Sequence, residues 1–433
     1  MSNLEPGLIS LDVQDRILAE VASGFSDQLA FLEEAVRCPS VRGSEQTVQD
    51  LMHDAMQARG YDVDRWKVNP DDIRHHEGFS NVAVSYENAW NVVGTHRPSQ
   101  ETGRSLILNG HIDVVPTGPL DMWETHPFDP VTKEGWMYGR GAGDMKAGVV
   151  SNLFALDAIR RAGYQPAGRV HLESVCEEES TGNGALATLV RGYSAEAALI
   201  SEPTGLALGT SVLGVLWFQV QVRGLPVHVA HAGTGANAIE AAYQLIQALH
   251  GVEADWNSRK DTTKNHGGFD HPINLNIGKI EGGDWASSVP AWCNFDCRIA
   301  IFPGHKPEEM KRDIEAKLKA ATQNIPFLAN NPPELVWNGF FTEGYDLERG
   351  SEQEKLLETA HSRVTGQPMR DWVGTAYVDS RVFVLYADIP CLIYGPTAEN
   401  IHGFNERVKL DSILEATQAI ALFAANWCGL QEI

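Results

Sequence analysis

The sequence predicts an α/β protein: a mainly parallel sheet with helices on both faces, interrupted by a smaller inserted α+β unit. Three observations carry this. At 433 residues the chain is longer than one ordinary hydrophobic core requires. Strand and helix patterns alternate over residues 105–200 and resume from about residue 344. Between them the order changes to strand, helix, two strands, helix, strand.

Apolar residues recur at helical spacing over residues 11–36 and 45–59, which predicts two N-terminal helices, the second ended by Gly60-Tyr61. Short apolar segments between polar turns predict strands at residues 81–85, 91–94 and 105–109. Residues 146–162 read as a helix, 169–175 as a strand, 185–191 as a helix and 197–200 as a strand. Such alternation implies crossover connections, hence parallel strands covered by helices. After Glu202-Pro203-Thr204-Gly205, residues 212–222 read as a long strand, 237–249 as a helix, 273–280 and 293–301 as strands, 307–321 as a helix and 334–337 as a strand. That is the order of a ferredoxin-like sandwich. The chain closes on an amphipathic helix over residues 411–427. The expected division is residues 1–206 and 341–433 for the principal domain and 207–340 for the insertion.

With 43% hydrophobic and 21% charged residues the chain reads as an ordinary globular protein. Lys+Arg 34 against Asp+Glu 57 gives a net charge of −23, which disfavours nucleic acid and anionic membranes as partners. The first residues are acidic where a signal peptide needs a basic start, and no apolar stretch reaches the roughly 20 residues of a membrane span. Six cysteines without a C-x-x-C pair suit reduced, buried thiols and a cytoplasmic location. Cys293 and Cys297 share a strand face, but neither a metal site nor a disulfide is expected of them.

Chemistry gathers where the predicted strands end. His111-Ile112-Asp113 follows an apolar strand; His supplies an imidazole ligand, and a nearby carboxylate would fix its tautomer. Gly139-Arg-Gly-Ala-Gly-Asp144 ends a glycine-rich loop at a helix start, where the bland reading is an N-cap. A phosphate loop fits worse, since an anionic side chain stands where phosphate would need donors. Cys176-Glu177-Glu178-Glu179 places three acids together, whose repulsion solvent or cations must offset. Ile200-Ser201-Glu202 and the loop containing Ile401-His402 repeat the pattern. Taken singly, each is explained by surface polarity or capping. Five such ends in one chain, rich in His, Asp and Glu and without Cys, make the nitrogen and oxygen ligand set of two catalytic zinc ions sharing one carboxylate and a water.

The ordered motifs NGHIDVVP, GRGAGDMKAG, CEEES, SEPT and IHGFNE resemble the family of acetylornithine deacetylase, succinyl-diaminopimelate desuccinylase, aminoacylase and glutamate carboxypeptidase, from about residue 20 to the C-terminus. The resemblance implies a dinuclear zinc amidohydrolase, with two Zn2+ per subunit and Co2+ able to substitute. By position, His111 and Glu202 would bind one zinc, Glu179 and His402 the other, and Asp144 both. Asp113 would orient His111, and Glu178 would be the general base. A cis peptide between Asp144 and Met145 is also implied.

The insertion resembles that family's lid, which implies a homodimer formed through it. GLPVHVAHAGTGANAI selects His228, seven residues before the glycine of G-x-N-A, over His231 as an oxyanion donor entering the partner's site. SSVPAWCNFDCRIAIFPG makes Arg298 the contact to a substrate carboxylate. Ser287-Ser288 replace an Asn that some deacylases carry there, which leaves acyl specificity open. His75-His76 read as a solvated loop, His266 and His271 have a minor reading at the substrate entrance, and Asp379-Ser380-Arg381 reads as a structural ion pair near the site.

The implied substrate is a small N-acyl amino acid or related N-acyl amine. Glu178 would take a proton from the attacking water, and His228 would stabilise the oxyanion, a contact worth about 2.7–4 kcal/mol. The competing enzyme reading is a dipeptidase or carboxypeptidase. From another class, a non-catalytic dimeric metal-binding module is disfavoured by Glu178 standing beside a full ligand set.

Overall fold

In the computed structural model, which describes residues 8–82 and 84–433, a six-stranded sheet runs in the order Asp62–Lys67, Trp90–His96, Val170–Val175, Leu106–His111, Ala197–Ile200, Cys391–Ile393. The last four strands are mutually parallel and the first two add antiparallel pairings. Val170–Val175, Leu106–His111, Ala197–Ile200 and Cys391–Ile393 are buried at every position. That is the signature of strands covered on both faces, and it explains why they read as unbroken apolar runs. Ala147–Arg161 packs with Leu410–Cys428 and Leu11–Ser23, and a second helix group joins Asn183–Arg191 to Pro70–Ile73 and Ser380–Tyr386.

A second, antiparallel sheet has the order Leu275–Gly282, Trp292–Ile301, Gly214–Arg223, Glu334–Thr342. Helices Ala238–Asn257 and Pro307–Thr322 pack on it around a separate core that includes Phe218, Val220, Leu245, Phe295 and Ile314. Burial alternates along Gly214–Arg223 and Trp292–Ile301, so the face away from this core carries Trp217 and Arg298. Cys293 and Cys297 lie on the core face and are unpaired. Leu275–Gly282 is an edge strand and mostly exposed.

Several elements differ from the sequence reading. The helix expected over 11–36 breaks at Gly24 into Leu11–Ser23 and Phe25–Arg37. Of the strand expected at 81–85, Ala83 lies outside the described residues and the rest form no strand; the Asn81 carbonyl accepts from the Gly339 N–H instead. The long strand expected at 212–222 is two, because the chain leaves a three-stranded sheet (Tyr345–Asp346, Leu208–Val212, Asp371–Val373) and enters the antiparallel one at Leu213. It returns at Gly344, beside its point of departure: a Cβ on Gly344 would meet the Val212 carbonyl, and one on Gly214 the Thr342 carbonyl. The strand expected at 334–337 continues to Thr342 through a bulge. Among the described residues no helix is long and apolar enough to cross a membrane.

The first turn of Ala147–Arg161 presses on the strand end Ser201-Glu202. A Cβ on Gly148 would fall on the Ser201 carbonyl oxygen. Gly148→Ala is therefore expected to destabilise the protein by about 1–3 kcal/mol, as overpacking against backbone does. Thermal denaturation measures it, and an unchanged midpoint would show that the Ser201 segment yields freely.

Candidate active site

Parallel strands side by side in the sheet deliver their C-terminal ends to one place. His111 ends Leu106–His111, Glu178 and Glu179 follow Val170–Val175 on one side, and Glu202 follows Ala197–Ile200 on the other. His402 arrives from a loop after Cys391–Ile393, and Asp144 from the glycine-rich segment before Ala147–Arg161.

The imidazoles face different oxygens of Asp144: His111 Nε2 lies 3.2 Å from Oδ1, and His402 Nε2 lies 3.4 Å from Oδ2. Glu202 Oε1 stands 3.7 Å from His111 Nε2, and Glu179 Oε2 3.0 Å from His402 Nε2. Ligand atoms of His111, Asp144 and Glu202 lie within 4.8 Å of one another, as do those of Asp144, Glu179 and His402. A third grouping, His111 with Glu178 and Glu179, spans the two. Glu178 Oε2 is 3.8 Å from His111 Nε2. The Asp144–Met145 peptide is cis.

The electrostatics show what this cluster lacks. Among the described residues, the only ion pairs of Asp144, Glu178, Glu179 and Glu202 are with the two histidines. Burial pushes the Glu178 carboxyl well above its ordinary range, with Glu202, Asp379 and Glu179 adding to the rise against the pull of His111. Burial does the same to Glu202 and Glu179. Burial would depress His402, but the charges of Glu179 and Asp144 override it and lift the imidazole to about 11. Burial likewise opposes charge on His111, and Glu178, Asp113, Asp144 and Glu202 outweigh it. Asp144, against burial, is held far below the usual carboxylate range by both imidazoles. Buried acids without fixed cations are costly. Divalent cations offset that cost, and the nitrogen and oxygen donors at these spacings fit them.

Behind the cluster stand groups that aim it. The His111 Nδ1–H donates to the main-chain carbonyl of Asp113 at 2.9 Å, which turns Nε2 toward Asp144 and Glu202. The Asp113 carboxylate, 3.6 Å from that ring, is engaged elsewhere: it accepts the backbone N–H groups of Glu178 and Glu179 at 3.3 and 3.1 Å. Asp113 thus ties the two strand ends together. Two supports were not singled out from sequence. Glu406 accepts the N–H groups of Gly143 and Asp144 at 3.0 and 3.1 Å and pairs with Arg140 at 2.5 Å. Glu177, in a left-handed conformation (φ 69°), accepts both arms of Arg42 at 2.5 and 2.6 Å and the Tyr86 hydroxyl at 2.5 Å. Glu406 closes IHGFNE and Arg140 opens the glycine loop, so their motifs pointed to them; Arg42 and Tyr86 carry no such signal.

Arg298 lines the same pocket as Asp144, Glu178, Glu179, Glu202 and His402. His228 does not join the cluster within one chain; it is exposed, and its Nδ1 accepts the Ala230 N–H. The Asp379–Arg381 ion pair is replaced by a relay, in which the Tyr377 hydroxyl donates to Asp379 at 2.7 Å and accepts from Arg381 Nε at 3.2 Å. His266 is buried beside Gly374, and His271 pairs with Glu253; neither lines the pocket. His75 is exposed as expected, while His76 packs edge-on against Tyr386.

The family model described as Peptidase family M20/M25/M40 matches residues 107–426. The N-formyl-4-amino-5-aminomethyl-2-methylpyrimidine deformylase of Halalkalibacterium halodurans is 27% identical over 447 residues, spanning 98% of this chain and 100% of that protein. The succinyl-diaminopimelate desuccinylase of Cupriavidus taiwanensis is 28% identical over 396 residues, spanning 88% and 94%. Among solved structures, the di-peptidase Dug1p of Saccharomyces cerevisiae superposes with a TM-score of 0.79 at 16% identity, over 96% of this chain and 98% of its own. The metallo-carboxypeptidase Sso-CP2 of Sulfolobus solfataricus does so with 0.72 at 16% identity, over 92% and 99%. These last two share the fold.

Removal of divalent metal by chelation should lower the thermal midpoint, because the cluster loses its counter-charge. Asp144→Asn should reduce bound metal per chain, measured by plasma emission after equilibrium dialysis. Undiminished metal content in that variant would remove Asp144 from both ligand sets.

Proposed function

The chain belongs to peptidase family M20/M25/M40, and from that premise we propose a dinuclear zinc amidohydrolase that removes an acyl group from a small N-acyl amino acid or related amine. The observation carrying this reading is Asp144 presenting separate oxygens to His111 and His402 with Glu178 alongside. The names of the relatives, a deformylase and a desuccinylase, support N-acyl substrates.

His111 and Glu202 would hold one ion, Glu179 and His402 the other, with Asp144 shared; zinc suits the donors, and cobalt would substitute. Such ions supply Lewis acidity, acidifying a water and polarising the amide carbonyl. Glu178 accepts the proton of the attacking water and returns it to the leaving nitrogen, a task suited to its place beside His111 in the pocket that Asp144 also lines. Arg298 holds a substrate carboxylate through its guanidinium.

Residues 207–340 serve in this reading as lid and dimerisation unit. Support comes from the exposure of Leu225, Val229, Ile239, Tyr243, Ile280 and Trp285 around the edge strand Leu275–Gly282, an apolar edge that a second copy would cover. An exposed His228 is then free to enter the partner's site as oxyanion donor. Six unpaired cysteines suit a reducing, cytoplasmic setting.

Glu178→Gln should keep its metal and fold while kcat on N-formyl, N-acetyl or N-succinyl amino acids falls by about 10²- to 10⁴-fold. A parallel loss of metal would show that base and ligand have been exchanged, and turnover confined to dipeptides would replace the deacylase reading.

Mixing His228→Ala with Glu178→Gln subunits tests the dimer. Each homodimer should be nearly inactive, whereas reassorted heterodimers place both defects in one site and recover up to about half the activity per dimer. No recovery after verified subunit exchange would assign His228 to its own chain or to structure alone.

A further inference from the structure

The pocket over Asp144 and Glu178 has a volume of about 510 Å3, and one of its walls is a single row of side chains crossing the antiparallel sheet. Asn276 is the register partner of Arg298, and Arg298 that of Trp217, on three neighbouring strands. On the far side the pairing shifts between Leu216 and Phe218, which sets Trp217 opposite the bulge at Gly339. Gly339 has φ +81°, and a Cβ there would lie 2.5 Å from Trp217 Cε3, so the indole occupies space that only glycine leaves open. Phe340 then meets Trp217 edge to face, with centroids 5.2 Å apart and planes at 88°, and Tyr377 with centroids 4.4 Å apart. Tyr377 lines the pocket together with Glu178.

The row therefore has two ends. At one, beside Asn276, Arg298 is a half-buried guanidinium whose pKa is lowered to about 10 by loss of hydration; among the described residues it has no carboxylate partner, and its one hydrogen bond is a long one to the Asn274 carbonyl at 3.5 Å. At the other, three aromatic rings run without a break toward Glu178. A wall of aliphatic side chains would give the same dryness; contiguous rings add a preference for a flat partner, which gains the offset or edge contact of ring quadrupoles. Side chains facing each other across neighbouring strands are about 5 Å apart, the separation between a carboxylate and a ring borne on one α-carbon.

We propose that this wall is a specificity subsite for a planar aromatic or heteroaromatic ring carried by the amine portion of the substrate, one strand spacing from an anionic or hydrogen-bond-accepting group held by Arg298. The ring packs on Trp217 and Phe340, and the acyl group points away from the wall. This deepens the N-acyl hydrolase reading and rests on it.

The test compares kcat/KM of the metal-loaded enzyme on N-formyl-L-phenylalanine, N-formyl-L-leucine, N-formylbenzylamine and N-benzoylglycine. The phenylalanine compound should exceed the leucine compound by about three- to tenfold, the range that a ring contact supplies. N-formylbenzylamine, which has the ring without the acceptor, should fall below the phenylalanine compound. Phe340→Leu and Trp217→Leu should bring the phenylalanine-to-leucine ratio toward one, chiefly through KM, while Phe340→Tyr, which keeps a ring, retains it. Equal rates on the two amino acids, or a ratio unmoved in both leucine variants, overturns the subsite. A preference for N-benzoylglycine overturns the assignment of the ring to the amine side. If no N-formyl compound is turned over, the hydrolase reading fails separately, and the subsite is judged by calorimetric titration with the free amines: phenylalanine binding at least about threefold tighter than leucine upholds it, and equal or undetectable binding overturns it.

Discussion

Asp144, Glu178, Glu179 and Glu202 converge on two imidazoles, with neither lysine nor arginine among the described residues paired to them, and this concentration of negative charge is what the rest of the molecule is built to hold. Acids so placed repel one another and lose hydration, so they stay together only if backbone and neighbours fix them and cations enter between. The neighbours are themselves acids of a different kind. Asp113, Glu177 and Glu406 are as buried as the inner set, yet each is occupied: Asp113 by two backbone N–H groups, Glu406 by two more and Arg140, Glu177 by Arg42 and Tyr86. The inner acids are left with their oxygens aimed at the cavity. Seven carboxylates thus divide into a satisfied outer tier that shapes turns and an inner tier that faces the cavity.

That division explains what was legible in the sequence. Glu178, Glu179 and Glu202 follow strands that are buried throughout, so an apolar run ending in acids marks them; Asp144 is marked instead by its glycine-rich loop, and the crossover pattern marks the parallel sheet. The outer tier was only half visible. Glu406 and Arg140 fall inside motifs already conspicuous, whereas Arg42 and Tyr86 come from the N-terminal third and meet Glu177 only through the fold. The atoms used were also beyond reach: that Asp113 holds His111 by its carbonyl and the acidic turn by its carboxylate depends on backbone paths with no period to read.

The strand at 212–222 shows the same limit from another side. Its residues form one apolar run that turns to alternation only near Phe218, and Gly214 alone hints that hydrogen bonding changes sheets at Leu213. The bulge at Gly339 likewise lies just past the strand read at 334–337, in the part of Glu334–Thr342 that the pattern did not mark. Both are places where tertiary pairing overrides local pattern, and Val215 and Phe340 close by line the pocket. Trp217 and Arg298 owe their common direction to alternation along Leu216–Arg223 and Trp292–Ile299, which buries their neighbours under helices and turns them to the pocket.

The departure at Leu213 and the return at Gly344 lie so close that each glycine would, with a side chain, strike the other strand's backbone. An excursion of well over a hundred residues therefore begins and ends at nearly the same point, and the parallel sheet is blind to its length. Ala197–Ile200 pairs in parallel with Cys391–Ile393 as directly as if the intervening chain were an ordinary crossover. A sequence free to vary between two such fixed points is tolerated by the surrounding fold. The pocket wall carried by this excursion can therefore differ in length and sequence without moving the sheet that holds the buried acids opposite it.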